Sequence, residues 1–436
     1  MQRDIEDKLI AWMKAKSRKP LIIRGARQVG KTYTIQEFGK KHFTNLVTID
    51  FERNRSVHKA FQKDLDPKKI LQELEFYAEE KIEPGQTLLF FDEIQACENA
   101  LQSIRYFYEE LPSLHLISAG SLLEFSLATS SFPVGRVSFE WLHPMTFREV
   151  LQASRKEILL QNLPSVFSSS PIPSEMLHQK MMEELKRYMI IGGMPEAVKT
   201  YLETESLAKV KKVQDEIVQS YLESFKKYKQ KANMDNLEQL MIKIPSLVGN
   251  QVKYTHLDPD RRIETTKSSL HLLEKALLIH FVRSTNLSGL PLGSSASEKV
   301  FKLLFLDIGL LQQISGFDPL NILEASDLTA LYQGALAEQF VGQELLAYGG
   351  SENSKLYYWH RDKKGSSAEI DYVIVRNGKI LPVEVKSGNA GKMRSMHQLM
   401  AENTHIHQGL ILNSHAPKEQ KDQNLIFMPL YASLVC

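Results

Sequence analysis

Short, near-continuous apolar runs punctuate the first third of the chain, at residues 20–25, 45–52, 87–92, 114–119 and 136–142. Between them lie stretches with helical spacing, among them Asn99–Glu110. Strands that lack the alternation of a half-exposed sheet, separated by helices, predict a parallel α/β sheet covered on both faces. From about Thr146 to Lys231 the pattern turns helical. It is broken by the Ser- and Pro-rich stretch Pro164–Ser174 and by Ile191-Gly-Gly-Met-Pro195, before a helix resumes near Glu196. Residues 235–310 read as helix, short segment, helix and two strands. Thr265–Lys275 is amphipathic and is expected to present Lys267, Ser268, Ser269 and His271 outward. From about Ser326 comes a helix, Ala335–Leu346, and then a strand, the turn Asn377-Gly378 and a returning strand. The pattern divides the chain into sections 1–145, 146–234, 235–325 and 326–436.

The first apolar run leads directly into a phosphate-binding loop. Leu21, Ile22 and Ile23 end at Gly25-Ala26-Arg27-Gln28-Val29-Gly30-Lys31-Thr32, with Tyr33 next and a helix-like stretch to Lys41. Gly25 and Gly30 permit backbone dihedrals that turn several N–H groups toward one phosphate, and the following helix adds its positive end. Lys31 is expected to bridge the β- and γ-phosphates, and Thr32 to offer its hydroxyl to Mg²⁺. A second apolar strand, Thr87–Phe91, stops abruptly at Asp92 and Glu93. Asp92 is expected to hold Mg²⁺ through water, and Glu93 to orient or deprotonate the attacking water. Together the two segments predict binding and hydrolysis of a nucleoside triphosphate, with ATP and GTP not distinguished.

Composition narrows the setting. At 436 residues the chain exceeds one core, and 43% apolar with 24% charged residues is ordinary for a globular protein. A formal charge of +2 neither demands nor excludes a nucleic-acid partner. Cys97 and Cys436, the two cysteines, make no disulfide framework or zinc cluster. The charged N-terminus lacks the apolar segment of a signal peptide, and no run reaches the ~18–20 apolar residues of a membrane span, so a cytoplasmic protein without membrane contact is expected. Residues 207–231 are lysine-rich, with Lys209, Lys211, Lys212, Lys226, Lys227, Lys229 and Lys231. They form either a solvated helix face or a nucleic-acid contact. Ala276–Arg283 and Lys299–Leu306 are expected to pair as the wing of a winged helix, a module that reads DNA or spaces protein domains.

The C-terminal section carries a second acidic constellation. The strand Ala368–Val375 holds Asp371, and the returning strand Lys379–Ser387 holds Glu384 and Lys386 on one face by its period of two. Glu338, on the preceding helix, is placed to reach the same spot. Asp371 and Glu384, with Glu338, are expected to chelate Mg²⁺, with Mn²⁺ as an alternative, and Lys386 to orient water and steady developing negative charge. The competing reading is a plain hairpin with a surface ion pair.

In these motifs the chain resembles a widespread family of prokaryotic ATPases of the AAA superfamily that carry a C-terminal domain of unknown function. The marks are Gly25–Thr32, Leu88–Gln95, Ser118-Ala-Gly-Ser121, Gly135-Arg136, Leu142–Glu149, Gly192–Glu196, Phe305–Gly309 and Glu384–Ser387. The resemblance implies a P-loop AAA-type parallel sheet, then a helical and winged-helix section, then a restriction-endonuclease-like α/β domain. It places Ser121 where a polar residue senses the γ-phosphate, and makes Arg136 either a phosphate-sensing finger or the partner of an acid. The last strands resemble the PD-(D/E)xK fold, also found in archaeal Holliday-junction resolvases, although Ile370 rather than proline precedes Asp371. The first expectation is an ATPase that acts on DNA, duplex or branched, with a nuclease-like domain that binds or cleaves it. The alternatives are an ATP-controlled switch with an inactive nuclease-like domain, holding nucleic acid or a protein partner, and a protein-remodelling ATPase. Self-association is left open.

Overall fold

The computed structural model describes residues 1–436 apart from 63, 122, 124–134, 167–172, 226–233, 258–261, 326–333, 351–354, 362–367, 387–392, 416–423, 433 and 435–436. Lys226, Lys227, Lys229, Lys231, Ser387, Cys436 and part of the 164–174 stretch therefore lie outside the described residues. The chain forms two compact units, Met1–His143 and Pro144–Cys436. No helix among the described residues is long and apolar enough to cross a membrane.

The first unit is built on five strands: β1 (Leu21–Arg24), β2 (Asn45–Asp50), β3 (Thr87–Asp92), β4 (His115–Ala119) and β5 (Ser138–Trp141). All pair in parallel, in the order β2-β3-β4-β1-β5. Every residue of β3 and β4 is buried, as continuous apolar strands in a covered sheet require. On one face Phe51, Phe61, Phe91 and Phe107 pack edge-on, with ring centroids 5.3–6.0 Å apart. Because the strands run the same way, the C-terminal ends of β1, β3 and β4 open on one edge, where such sheets bind ligands.

The second unit holds an eight-stranded mixed sheet. Its strands are β6 (Val252–Lys253), β7 (Ile279–Ser284), β8 (Val300–Phe305), β9 (Tyr357–His360), β10 (Glu369–Arg376), β11 (Lys379–Val385), β12 (Gly409–Asn413) and β13 (Leu425–Pro429). Their order is β13-β12-β11-β10-β9-β7-β8-β6. β7 and β8 pair antiparallel, as the wing reading expects, but they are not a free wing: β7 also pairs in parallel with β9. The reason lies in β8, where Phe301 to Phe305 are all buried. A solvent-exposed wing has no place for that run. Ser269 also departs from expectation. It is buried on the helix Ile263–Lys275 and its hydroxyl accepts a hydrogen bond from Asn236 Nδ2 at 2.8 Å, whereas Lys267 and Ser268 do face outward.

Several of the sequence marks in this unit are structural. Thr146 and Glu149 form a reciprocal capping box that starts the helix Phe147–Ala153. Asp307, fully buried, caps the helix Ile308–Ser315 by accepting from the Gly309 and Leu310 N–H groups at 3.0 and 3.1 Å, and it accepts from Gly193 N–H at 2.6 Å. Gly193 is required because a Cβ there would lie 2.1 Å from the Met145 carbonyl oxygen. Gln339 exchanges two hydrogen bonds with the Phe305 backbone, and Gln343 accepts from Ile308 N–H, so the helix Ala335–Tyr348 is fastened to the end of β8. We expect Asp307→Ala to strip three buried N–H groups of their acceptor and cost about 3 kcal/mol of stability. Urea unfolding of the variant against the wild type measures it.

Candidate nucleotide site and acidic centre

The loop Gly25–Gly30 joins β1 to the helix α1 (Lys31–His42) at the open edge of the parallel sheet. Gly25 has φ of 154°, and a Cβ there would meet the Leu142 carbonyl oxygen at 2.2 Å, so close backbone approach fixes glycine. Gly30 (φ 91°) and Gln28 (φ 63°) carry the turn into the helix. Ala26 and Val29 are buried and anchor the loop, while Tyr33 stands half-exposed on the first helical turn. Lys31 is buried, and its ammonium donates to the Gly25 and Ala26 carbonyls at 2.8 and 2.7 Å. Burial pushes it down to about 8, against the pull of Glu93 and Asp92.

The two acids ending β3 are placed differently. Asp92 accepts the Thr32 hydroxyl at 2.8 Å, and burial pushes its carboxyl up to about 6. Thr32 and Asp92 thus form an all-oxygen pair beside the loop, a donor set that fits Mg²⁺. Glu93 has φ of 46°, which turns its side chain toward β4. There it accepts from Gln95 Nε2 at 2.5 Å, from Ser121 N–H at 3.1 Å and from the Ser121 hydroxyl at 3.0 Å. Burial works to raise the Glu93 carboxyl, but these hydrogen bonds carry it below its ordinary value. Ser121 therefore lies at the site, joined to Glu93. Gln95, the last residue of the Leu88–Gln95 mark, is a site residue to which the sequence reading gave no role.

Arg136 does not join this group. Ser138 pairs with Leu21, the first residue of β1, so Arg136 lies at the sheet edge opposite Gly25. Its Nε donates to Glu109 at 2.8 Å, and Arg105 shares that carboxylate. In the first unit its guanidinium is thus paired with an acid.

Residues 17–151 match the family model described as an AAA domain. The first unit is an AAA-type P-loop domain. Residues 182–321 and 333–432 match two further models, each described as a domain of unknown function. No curated protein matches the chain. Among solved structures it is similar to the Walker-type ATPase PABY2304 of Pyrococcus abyssi, at 14% identity over 72% of this chain and 95% of that one, with a TM-score of 0.45. The RuvB Holliday junction branch migration motor of Thermotoga maritima is 15% identical over 65% and 90%, with a TM-score of 0.31. The Orc1 protein of Aeropyrum pernix, solved in complex with DNA, is 10% identical over 72% and 90%, with a TM-score of 0.29.

Beyond the AAA domain, the second unit does bring its four expected residues into one region, with two more, Lys302 and Glu369, that were not expected. Tyr372 pairs with Val383 across the β10–β11 hairpin, so Asp371 and Glu384 are the next residues facing each other along the two strands. A register shift between Ile370 and Val373 marks an irregularity that spans Asp371 and Tyr372. One Asp371 oxygen accepts from Val385 N–H at 2.9 Å. Glu384 is buried and pairs with the half-buried Lys386 at 2.5 Å; burial pushes Glu384 up to about 7. Into the same centre β8 sends Lys302. Its ammonium lies 2.5 Å from Glu369, 3.1 Å from Glu338 and 3.3 Å from Asp371, and only 3% of the side chain is exposed. Burial and the charge of Asp371 push Glu338 up. The signal for Lys302 is its isolation in the apolar strand Val300-Phe-Lys-Leu-Leu-Phe305; Glu369 was legible as the same-face neighbour of Asp371.

The acids expected to hold Mg²⁺ or Mn²⁺ face ammonium groups in this arrangement, and Glu384 keeps one buried oxygen without a partner. Among the described residues no three His, Cys, Asp or Glu side chains group so as to hold a metal ion. Glu338 and Asp371 each give an oxygen to Lys302, and Glu384 is turned to Lys386.

Two outcomes follow for the AAA domain. Glu93→Gln should slow ATP hydrolysis by about 10²–10⁴-fold while ATP binding persists, as single-turnover hydrolysis and calorimetry would show. With Lys31 expected to bind phosphate as the ammonium and its free value near 8, affinity should hold below that pH and fall by up to about tenfold per pH unit above it. Calorimetry at pH 7 and 9 in buffers of differing ionisation enthalpy should find proton uptake on binding only at the higher pH.

Proposed function

We propose that the chain is a Mg²⁺-dependent ATPase, converting ATP to ADP and phosphate, whose turnover responds to DNA held by the second unit. The observation that carries the ATPase reading is the pair of hydrogen bonds Thr32–Asp92 and Glu93–Ser121, held by adjacent acids beside the loop. Backbone N–H groups of the loop and the first turn of α1 cradle the phosphates. Lys31 exchanges its two neutral carbonyl partners for phosphate oxygens, so that both members of each hydrogen bond carry charge. Thr32 and Asp92 would hold Mg²⁺, which supplies neutralising charge to the β- and γ-phosphates when bound. Glu93 orients the attacking water and accepts its proton; its lowered carboxyl stays ionised at neutral pH for that task.

Support for the DNA part is weaker in kind: the exposed lysines Lys209, Lys211 and Lys212 on the helix Leu207–Phe225, and the resemblance of the β10–β11 hairpin to a nuclease-like fold. The Lys302 contacts favour binding over cleavage by that module, and so an ATP-controlled switch as the form this activity takes. The test is ATP hydrolysis with Mg²⁺ alone and with linear duplex, single-stranded or four-way-junction DNA, with Lys31→Ala as the control for contaminating ATPases. Stimulation by one DNA form, absent in the control, is expected. Wild-type turnover indifferent to every form would overturn the DNA part and leave the ATPase standing.

A further inference from the structure

We infer that the Lys302 ammonium is the resident cation of the acidic centre in the second unit, standing where a metal-dependent nuclease would hold a divalent ion. The inference is independent of the ATPase reading. It starts from the cost of burial: carboxylates drawn into a low-dielectric interior need a cation or several N–H donors. Glu338, Glu369 and Asp371 converge from a helix and from β10, and all three meet one ammonium within 3.3 Å. An ammonium offers three N–H donors, one for each carboxylate. Two of the remaining oxygens are also answered by the protein. Gln251 Nε2 donates to the second Glu369 oxygen at 2.5 Å, and Val385 N–H donates to the second Asp371 oxygen at 2.9 Å.

The lysine is built in rather than draped over the surface. Its strand pairs with β7 and with β6, the strand neighbours Phe301, Leu303 and Leu304 are buried, and its ammonium sits 5.5 Å from the face of the buried Tyr358 ring. Glu338 is held from the other side, because its own carbonyl accepts the Tyr372 hydroxyl at 2.8 Å and its helix is fastened to the end of β8 by Gln339. A divalent cation needs to displace this ammonium into an apolar interior before it gains its ligands. The centre is thus closed to metal and inert toward phosphodiesters, and it ties β8, β10 and the helix Ala335–Tyr348 together.

The test is Mn²⁺ binding to the full chain without nucleotide, followed by the electron paramagnetic resonance of free Mn²⁺. The proteins are wild type, Asp371→Asn, Lys302→Met and Lys302→Met/Asp371→Asn. Wild type and Asp371→Asn should bind Mn²⁺ alike. Lys302→Met should gain a site at least about tenfold tighter than any in the wild type, lost again in the double variant. Its melting temperature should be lowered in EDTA and recover with Mn²⁺. Binding by wild type that Asp371→Asn abolishes overturns the inference, as does a folded Lys302→Met that gains no site. Should Lys302→Met fail to fold, the comparison of wild type with Asp371→Asn decides alone: equal binding upholds the inference, and Mn²⁺-dependent DNA cleavage lost in Asp371→Asn refutes it.

Discussion

A carboxylate withdrawn from water has to be answered where it stands, and the protein meets that constraint in three ways. Asp307 is surrounded by backbone N–H groups from two segments, and its helix and the Gly192–Pro195 break are locked together as a result. Glu93 is held by a hydroxyl, an amide and one N–H group, which keep it charged and aimed. Glu338, Glu369 and Asp371 share a single ammonium. The sheets supply the positions, but the polar groups inside them decide which segments stay together.

The AAA domain was legible because its chemistry is local. Gly25 to Thr32 are contiguous, and β3 announces its end by changing from phenylalanine to two acids in adjacent residues. Continuous apolar runs gave the strands, and parallel pairing carried the loop, Asp92 and Ser121 to one edge. Arg136 was ambiguous because its neighbour, Glu109, is 27 residues away on another element. No spacing rule reports that pairing.

The second unit was read less completely for the same reason. The Asn377-Gly378 turn fixed the β10–β11 register, and with it the approach of Asp371 to Glu384. The parallel pairing of β7 with β9 joins residues more than 70 positions apart, and the sequence offers no local sign of it. That pairing turned an expected wing into part of a larger sheet. Lys302 arrives through the same sheet, so an acidic motif judged on its own hairpin lacked its counter-charge. Ser269 was misplaced for a smaller cause: a serine on an amphipathic helix is polar by composition, yet Asn236 gives its hydroxyl a partner inside.

The contact between Ser121 and Glu93 also limits the serine. A serine hydroxyl owns one proton, and here it is committed to the carboxylate. Any second acceptor that reaches Ser121 must take that proton from Glu93 and leave the acid with Gln95 and one backbone N–H. The Ser121 hydroxyl can therefore serve Glu93 or a newcomer but not both, while Gln95 and the Ser121 N–H keep the carboxylate in place.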